Sequence, residues 1–416
     1  MIGLSCYILV DTLFVSLALG APGLAALNLS ITVFSVISGV GQMAGMGGGT
    51  DYSLRRGEGK DGGAAFFAAM RFGAIASAAF VLIGLFFARE LSLLLGADET
   101  TLSLTHTYVR MTLFFAPCHI INAILQAFVR NDGAPRLAMA SMLVSSVANI
   151  VLDYVFMFPM HMGMFGAVLA TGLSALMSIL LLLSHFFSAS TSLRLSVFPV
   201  SLHETLRLLS YGLSALVGEL ASAVSLLTFN LLLMRIGGYI AVAAYGVIAN
   251  AALIATAIFT GVGQGIQPLV SHAYGAAQHD ALIRIRRYTQ RTALILGVVI
   301  FAVVCLMADP IAAVFNHEEN PQLHAIAAAG LQLYFAGYLF AGINIAASAF
   351  LSAVSLPVRA LALSLLRSCV LLIPAALVMS SLLGIAGVWL SFVATEAIVC
   401  ALSLLALRGT GIRRHI

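Results

Sequence analysis

Apolar runs long enough to cross a bilayer as helices recur from Met1 to Leu407. Short segments rich in Gly, Pro, Asp and Arg separate them. The alternation predicts twelve spans, near 1–19, 24–48, 64–88, 104–128, 136–158, 164–187, 207–235, 240–269, 288–308, 325–351, 357–380 and 383–406. Hydrogen-bonding demands within lipid leave helices as the structure for such runs, so the pattern predicts an all-α membrane protein. Pro117 and Pro374 fall within spans four and eleven and predict bends, and Pro268 is expected to end span eight. Gly45, Gly47, Gly48 and Gly49 crowd one end of span two, where small residues permit close packing. The amino terminus lacks the cut site of a cleavable signal peptide, so the first helix is expected to start insertion.

Composition sharpens the class. The chain has 416 residues, 61% hydrophobic and only 9% charged, against about 25% charged in a soluble domain. Cys6, Cys118, Cys305, Cys369 and Cys400 are odd in number and lack CxxC spacing, which argues against a disulfide framework or a zinc site. They read as small buried apolar residues. His161, His203, His272, His279, His317 and His324 sit in loops at spacings that suit no metal site.

Charge gives the orientation. Arg55, Arg56, Lys60, Arg71, Arg130, Arg136, Arg194, Arg207, Arg284, Arg286, Arg287, Arg291, Arg359, Arg367, Arg408, Arg413 and Arg414 lie on one side, 17 of the 20 basic residues. Arg89, Arg110 and Arg235 fall to the other, with Asp98, Glu99, Asp309, Glu318 and Glu319. This bias predicts that both termini face the cytoplasm. The net charge of +4 therefore reflects topology, and no nucleic-acid partner is expected.

The chain repeats internally. Gly39-Val40-Gly41-Gln42 returns 222 positions later as Gly261-Val262-Gly263-Gln264, and Pro135, Asn122 and Phe128 return at the same offset as Pro357, Asn344 and Phe350. Gly166 returns 221 positions on as Gly387. Each half holds six predicted spans, an even number, so the halves enter the membrane in the same sense. Two parallel-repeat lobes around a central cavity are the expected architecture, as in two-lobed secondary transporters. The N-lobe is placed at 1–190, a cytoplasmic linker at 191–206 and the C-lobe at 207–416.

Four acids lie well inside predicted spans: Asp11, Asp153, Glu219 and Glu396. An ionisable group there is costly and marks a functional pathway by default. Asn149 precedes Asp153 by four residues, so both point from one helix face. A carboxyl beside an amide can bind a proton or complete an oxygen cage for sodium, and Asp11 supplies a second carboxyl in the same half. Glu219, near the middle of span seven with no adjacent cation, suits a cationic substrate. Glu396 is expected to be a hydrogen-bonded packing residue. Gln42, Asn122, Gln126, Asn230, Asn250, Gln264, Gln267 and Asn344 are candidate buried amides, of which Asn122 and Gln126 share a face.

Asn149-Ile150-Val151-Leu152-Asp153 and Gly163-Met164-Phe165-Gly166-Ala167-Val168-Leu169-Ala170-Thr171 resemble the span five and six signature of the multidrug and toxic compound extrusion (MATE) family. Gly261 to Ser271 with Tyr274-Gly275-Ala276, Val10 to Val15 with Leu19-Gly20, and Gly212 to Glu219 resemble its other signatures, in order, over essentially the whole chain. The resemblance implies a bacterial-branch, multi-pass inner-membrane antiporter, monomeric, exporting small organic, cationic or lipophilic compounds in exchange for H⁺ or Na⁺, with no other cofactor. It implies a cation-coupling network at Asp11, Asn149, Asp153, Thr171 and Gln126, with Na⁺ at Asp11/Asp153 if sodium is the ion. Glu219, Asn122 and Gln264 are the expected substrate-binding residues. Tyr154 stands where many members have proline, and Ala273 where many have asparagine. Members also carry residues before the point at which this chain starts, so a late start or a truncated first span is expected.

Two other classes fit the residues less well. A flippase for a lipid-linked precursor would place several basic groups in its cavity, where this chain places acids. An intramembrane enzyme would need a nucleophile–base pattern, and neither HExxH nor GxSxG occurs.

Overall fold

The computed structural model describes residues 2–188, 191–193, 198–315 and 320–408, without the side chains of 2–8, 21 and 315. Cys6, Arg194, Arg413, Arg414, His317, Glu318 and Glu319 therefore lie outside the described residues or side chains. The described chain is helical: α1 (Ile2–Gly57), α2 (Gly63–Phe86), α3 (Ala88–Leu94), α4 (Leu102–Phe114), α5 (Ala116–Asn131), α6 (Pro135–Met157) and α7 (Gly163–Leu183) come first. Then follow α8 (Leu202–Gly275), α9 (His279–Leu306), α10 (Ala308–Phe315), α11 (Pro321–Phe335), α12 (Tyr338–Ala353), α13 (Pro357–Leu365) and α14 (Leu372–Arg408). A π-helical turn, Leu366–Val370, joins the last two.

Seven of these helices are long and apolar enough to cross a membrane, or nine when each bent pair counts as one span. Large apolar side chains such as Leu17, Ile75, Val147, Leu180, Leu231 and Leu382 face outward. In water that surface would be a liability. It is the surface of a multi-span membrane protein.

The fold differs from the predicted spans chiefly where helices run on. Within α1, α8 and α14 the path breaks at Gly20 (φ 65°), Gly238 (φ 64°) and Gly384 (φ 61°). With ψ between −136° and −158°, these are conformations that side chains other than glycine's rarely adopt. Pro268 does not end its helix, which continues to Gly275. A proline costs one backbone bond, but ending a helix in an apolar setting exposes several unpaired carbonyls, and membrane helices tolerate the former.

The repeat is visible in the backbone. Gly20 and Gly238 take the same break, Gly163 and Gly384 both have positive φ, and the positive φ of Gly133 recurs at Ser355. The α4–α5 pair bends by 46° and the α11–α12 pair by 48°. Pro117 lies in the first turn of α5, at the first of these bends.

The chain divides into two units, Met1–Leu220 and Ala221–Ile416. The first unit packs Tyr52, Phe66, Ile120, Ile124 and Phe128 into its main core. A smaller cluster of Val15, Leu27, Tyr108, Met157 and Val168 seats the start of α1 on α6 and α7. The second unit centres on Phe259, Leu331, Phe335, Val388 and Trp389.

Candidate functional site

Asp153 and Asn149 sit one turn apart on α6, and both are completely buried. They face α7, whose inward side is Gly166, Ala167, Ala170, Thr171, Ser174 and Ser178. Those small residues let the helices approach: a Cβ on Gly166 would stand 3.0 Å from Phe156 Cβ. Thr171 is thereby brought within reach. Its Oγ1 accepts from Asn149 Nδ2 at 3.3 Å and donates to the carbonyl of Ala167 at 3.1 Å.

Asp11, buried on α1, joins the group through the packing of Phe14 against Tyr154. Phe14, one turn along α1, lies edge-on to Phe158 at 5.6 Å and tilted against Tyr154 at 6.2 Å. Tyr154 thus helps anchor α1 beside Asp153. Four buried oxygens lack a hydrogen-bond donor: Asp11 Oδ1, Asn149 Oδ1 and both oxygens of Asp153. Two carboxyls and an amide oxygen in an apolar enclosure form an acceptor-only set. Such a set is costly unless a proton or a metal cation joins it.

A second polar pair forms where α1 meets the start of α8. Gly47 and Gly212 permit near backbone contact, since a Cβ on Gly47 would fall 2.2 Å from the carbonyl oxygen of Leu208, and one on Gly212 would fall 2.0 Å from that of Met43. At this crossing Gln42 Nε2 donates to Glu219 Oε1 at 2.6 Å. No basic side chain among the described residues pairs with Glu219.

The remaining predicted site residues group differently. Gln126 Nε2 donates to Asn122 Oδ1 at 3.3 Å, and Ser178 Oγ donates to the same oxygen at 2.8 Å. No hydrogen bond among the described residues joins Gln126 to Asp11, Asn149 or Asp153. Gln264 is half-buried on α8 in the second unit.

Two clusters join partners that a reading of the sequence does not pair, though Glu396 is the hydrogen-bonded packing residue expected of it. In the second unit, Arg367 in the π-helical turn donates to Glu396 Oε1 through Nη2 at 2.6 Å and Nε at 3.1 Å. Asn344 donates to Glu396 Oε2 at 2.6 Å and accepts from Ser403 at 2.9 Å. Glu396 is thus bonded on both oxygens. Opposite charges within two apolar spans are the available signal, but by position Arg367 groups with the loop cations.

In the first unit, Asp132 at the end of α5 accepts from Tyr52, His185 Nε2 (2.8 Å), Thr191 Oγ1 (3.1 Å) and the backbone N–H of Ser192 (2.9 Å). Burial pushes its carboxyl pKa up, but the bonds from Tyr52, Ser192, His185 and Thr191 prevail and hold it below the ordinary value. Arg71 adds bonds to the Val200 carbonyl at 3.1 Å and Thr205 at 2.9 Å. Together they fasten the segment between α7 and α8 to the ends of the first unit's helices.

A family model described as MatE matches residues 1–155 and 215–378. The multidrug export protein MepA of Staphylococcus saprophyticus is 26% identical over 384 residues, 91% of this chain and 84% of that protein. MepA of Staphylococcus aureus N315 is 26% identical over 389 residues, with the same coverage. Among solved structures, an outward-facing multidrug resistance MATE family transporter of the MOP superfamily superposes with TM-score 0.92 at 22% identity, over 98% of this chain and 92% of that one. The MATE multidrug transporter DinF-BH, solved in complex with a small organic ligand, superposes with TM-score 0.89 at 25% identity, over 99% and 93%.

Proposed function

The chain belongs to the MatE family, and we propose that it exports small organic compounds, cationic or lipophilic, in exchange for H⁺ or Na⁺. Counting each glycine-broken helix as two spans and each bent pair as one gives twelve. With the arginine-rich loops inside, both termini face the cytoplasm of a bacterial cell. The chain works as a monomer in the inner membrane. The names of its relatives support an exporter of several drugs, and the similar transporter DinF-BH holds a small organic ligand.

The observation that carries the ion-coupling half is the set of four unbonded buried oxygens on Asp11, Asn149 and Asp153. Thr171 holds the Asn149 side chain, and the cation takes its place among the oxygens. Binding there stabilises only the conformations in which the oxygens stay together. Each ligand shifts the equilibrium by its differential affinity and by no more, so exchange requires that ion and drug favour different states. Glu219 is the proposed partner of a cationic drug, with Gln42 fixing one carboxylate oxygen and the other left to meet the positive charge. Asn122 and Gln264 are proposed to add polar contacts, and Gln126 to support Asn122. A flippase would call on several free basic groups within the spans, whereas Arg367 is held by Glu396 and Arg110 stands alone near a helix end.

Dye efflux from proteoliposomes under a pH gradient alone, and then under a sodium gradient alone, tests the reading. One of the two gradients should drive efflux. Efflux that neither gradient accelerates would overturn antiport.

A further inference from the structure

A groove of about 470 Å³ opens on the first unit between the ends of α2, α4 and α7. Arg110 and His106 of α4 supply its polar lining, and Leu85, Phe114 and Phe165 supply much of the rest. Gly84 brings the helices together there, since a Cβ on it would stand 2.7 Å from Leu113 Cβ and 3.4 Å from the carbonyl oxygen of Arg110. That approach fixes the depth of Arg110. It lies level with the last turn of α2 (Gly63–Phe86), and Phe165 lies in the first turn of α7 (Gly163–Leu183). Both are helix ends on the side away from the arginine-rich loops, the level of lipid head groups rather than of the bilayer centre.

The Arg110 guanidinium makes no hydrogen bond or ion pair with any described residue, although acids lie on the same side of the protein. Asp98 is committed to Thr100 and Thr101. Thr107 also lines the groove, but its hydroxyl donates to the carbonyl of Ser103 at 2.9 Å. The donors left for a ligand are the guanidinium and the imidazole of His106, four residues earlier on the same helix face. Arg110 is exposed and has no counter-charge among the described residues, and such a guanidinium at the head-group level attracts an anion. The walls say what the anion is attached to. Phe114 is 55% exposed and Leu85 53%, an apolar strip that continues from the cation along the lipid-facing surface.

We propose that this groove binds one anionic phospholipid from the leaflet opposite the arginine-rich loops, its phosphate held by Arg110 and His106 and an acyl chain lying along Leu85, Phe114 and Phe165. A guanidinium bonded to a phosphate is a charge-assisted pair with strong directional preference. The occupant is a lipid rather than free phosphate because the greater part of the groove is apolar and faces the bilayer. The site is independent of the exchange reaction and stands or falls apart from it.

Native mass spectrometry of the purified full chain in detergent tests this, with phosphatidylglycerol, phosphatidylcholine and inorganic phosphate offered separately. The wild-type protein should retain one phosphatidylglycerol in preference to phosphatidylcholine, and inorganic phosphate should not displace it. Arg110→Gln should weaken retention by about tenfold or more, the loss of one charge-assisted bond, and Arg110→Lys should keep part of it. The exposed Leu85→Glu, which sets a negative charge beside the phosphate, should also weaken retention and decides the matter if Arg110→Gln does not fold. Equal retention by wild type and a folded Arg110→Gln or Leu85→Glu protein would overturn the proposal, as would displacement by inorganic phosphate at the potency of the lipid.

Discussion

Asn149 Nδ2 donates to Thr171 Oγ1 across 3.3 Å, and the bond leaves the amide oxygen, like both oxygens of Asp153, without a donor. The threonine thus settles the chemical character of the pocket. With the amide N–H₂ turned to α7, what remains near Asp153 is acceptors. A cation or a proton is the natural complement.

Asp153→Asn preserves size and removes the charge. Ion-driven efflux should be abolished while the protein still inserts and binds dye. Everted-vesicle efflux and membrane abundance, measured side by side, check this. A fully active variant that still responds to the driving gradient would refute the role. Thr171→Val should do less, since it loosens Asn149 by about 1 kcal/mol, a several-fold loss of ion affinity.

What the sequence disclosed and what it withheld follow one physical line. Asn149 and Asp153, like Asn122 and Gln126, are four residues apart on one helix, and a local rule places them on one face. The repeat offset was legible in short motifs, and the backbone repeats it at Gly133 and Ser355. Arg367 and Glu396 are 29 positions apart, and His185 and Asp132 are 53 apart. Helix packing alone brings those pairs together, and a single sequence does not encode packing in a readable form. Gln126 donates to Asn122, its neighbour on that face.

Glu219→Gln keeps a partner for Gln42 but discards the charge. For a permanently cationic dye, binding to the purified protein should weaken by roughly ten- to a hundredfold, the worth of a charged hydrogen bond. Uncharged lipophilic compounds should bind within about twofold of wild type, because they draw on apolar burial instead. Fluorescence anisotropy titrations with one dye of each kind separate the two. Equal losses for both would mean that Glu219 shapes the protein rather than meets the charge.

Gly238 and Gly246 offer a controlled comparison within α8. A Cβ at either would meet nothing within 4 Å, so crowding does not distinguish them. Gly238 has φ 64° and breaks the helix, while Gly246 lies in regular helix. Gly238→Ala should cost about 1–3 kcal/mol through backbone strain alone. Gly246→Ala should stabilise by up to about 1 kcal/mol, the ordinary helix preference for alanine. Thermal unfolding in detergent measures both, and equal shifts would show that the break at Gly238 is not a strained position.

The Asp132 network should make stability depend on acidity. Its carboxyl is buried, which raises the pKa, but bonds from Tyr52, Ser192, His185 and Thr191 outweigh burial and hold the folded value below the unfolded one. A depressed folded value means that the contribution is complete above the unfolded carboxylate pKa, about 4. It is lost as pH falls through the lower folded value, because the unfolded chain then binds the proton first. Asp132→Asn removes the titrating group. At pH 7 that variant should be less stable by about 1–3 kcal/mol, since donors aimed at a carboxylate meet an amide. As pH drops below about 4 the wild type should lose its advantage and the two unfolding curves should converge. Thermal midpoints of both proteins from pH 7 to pH 3 check the sign. A difference that stayed constant over that range would show that the carboxylate form of Asp132 does not fasten the segment between α7 and α8.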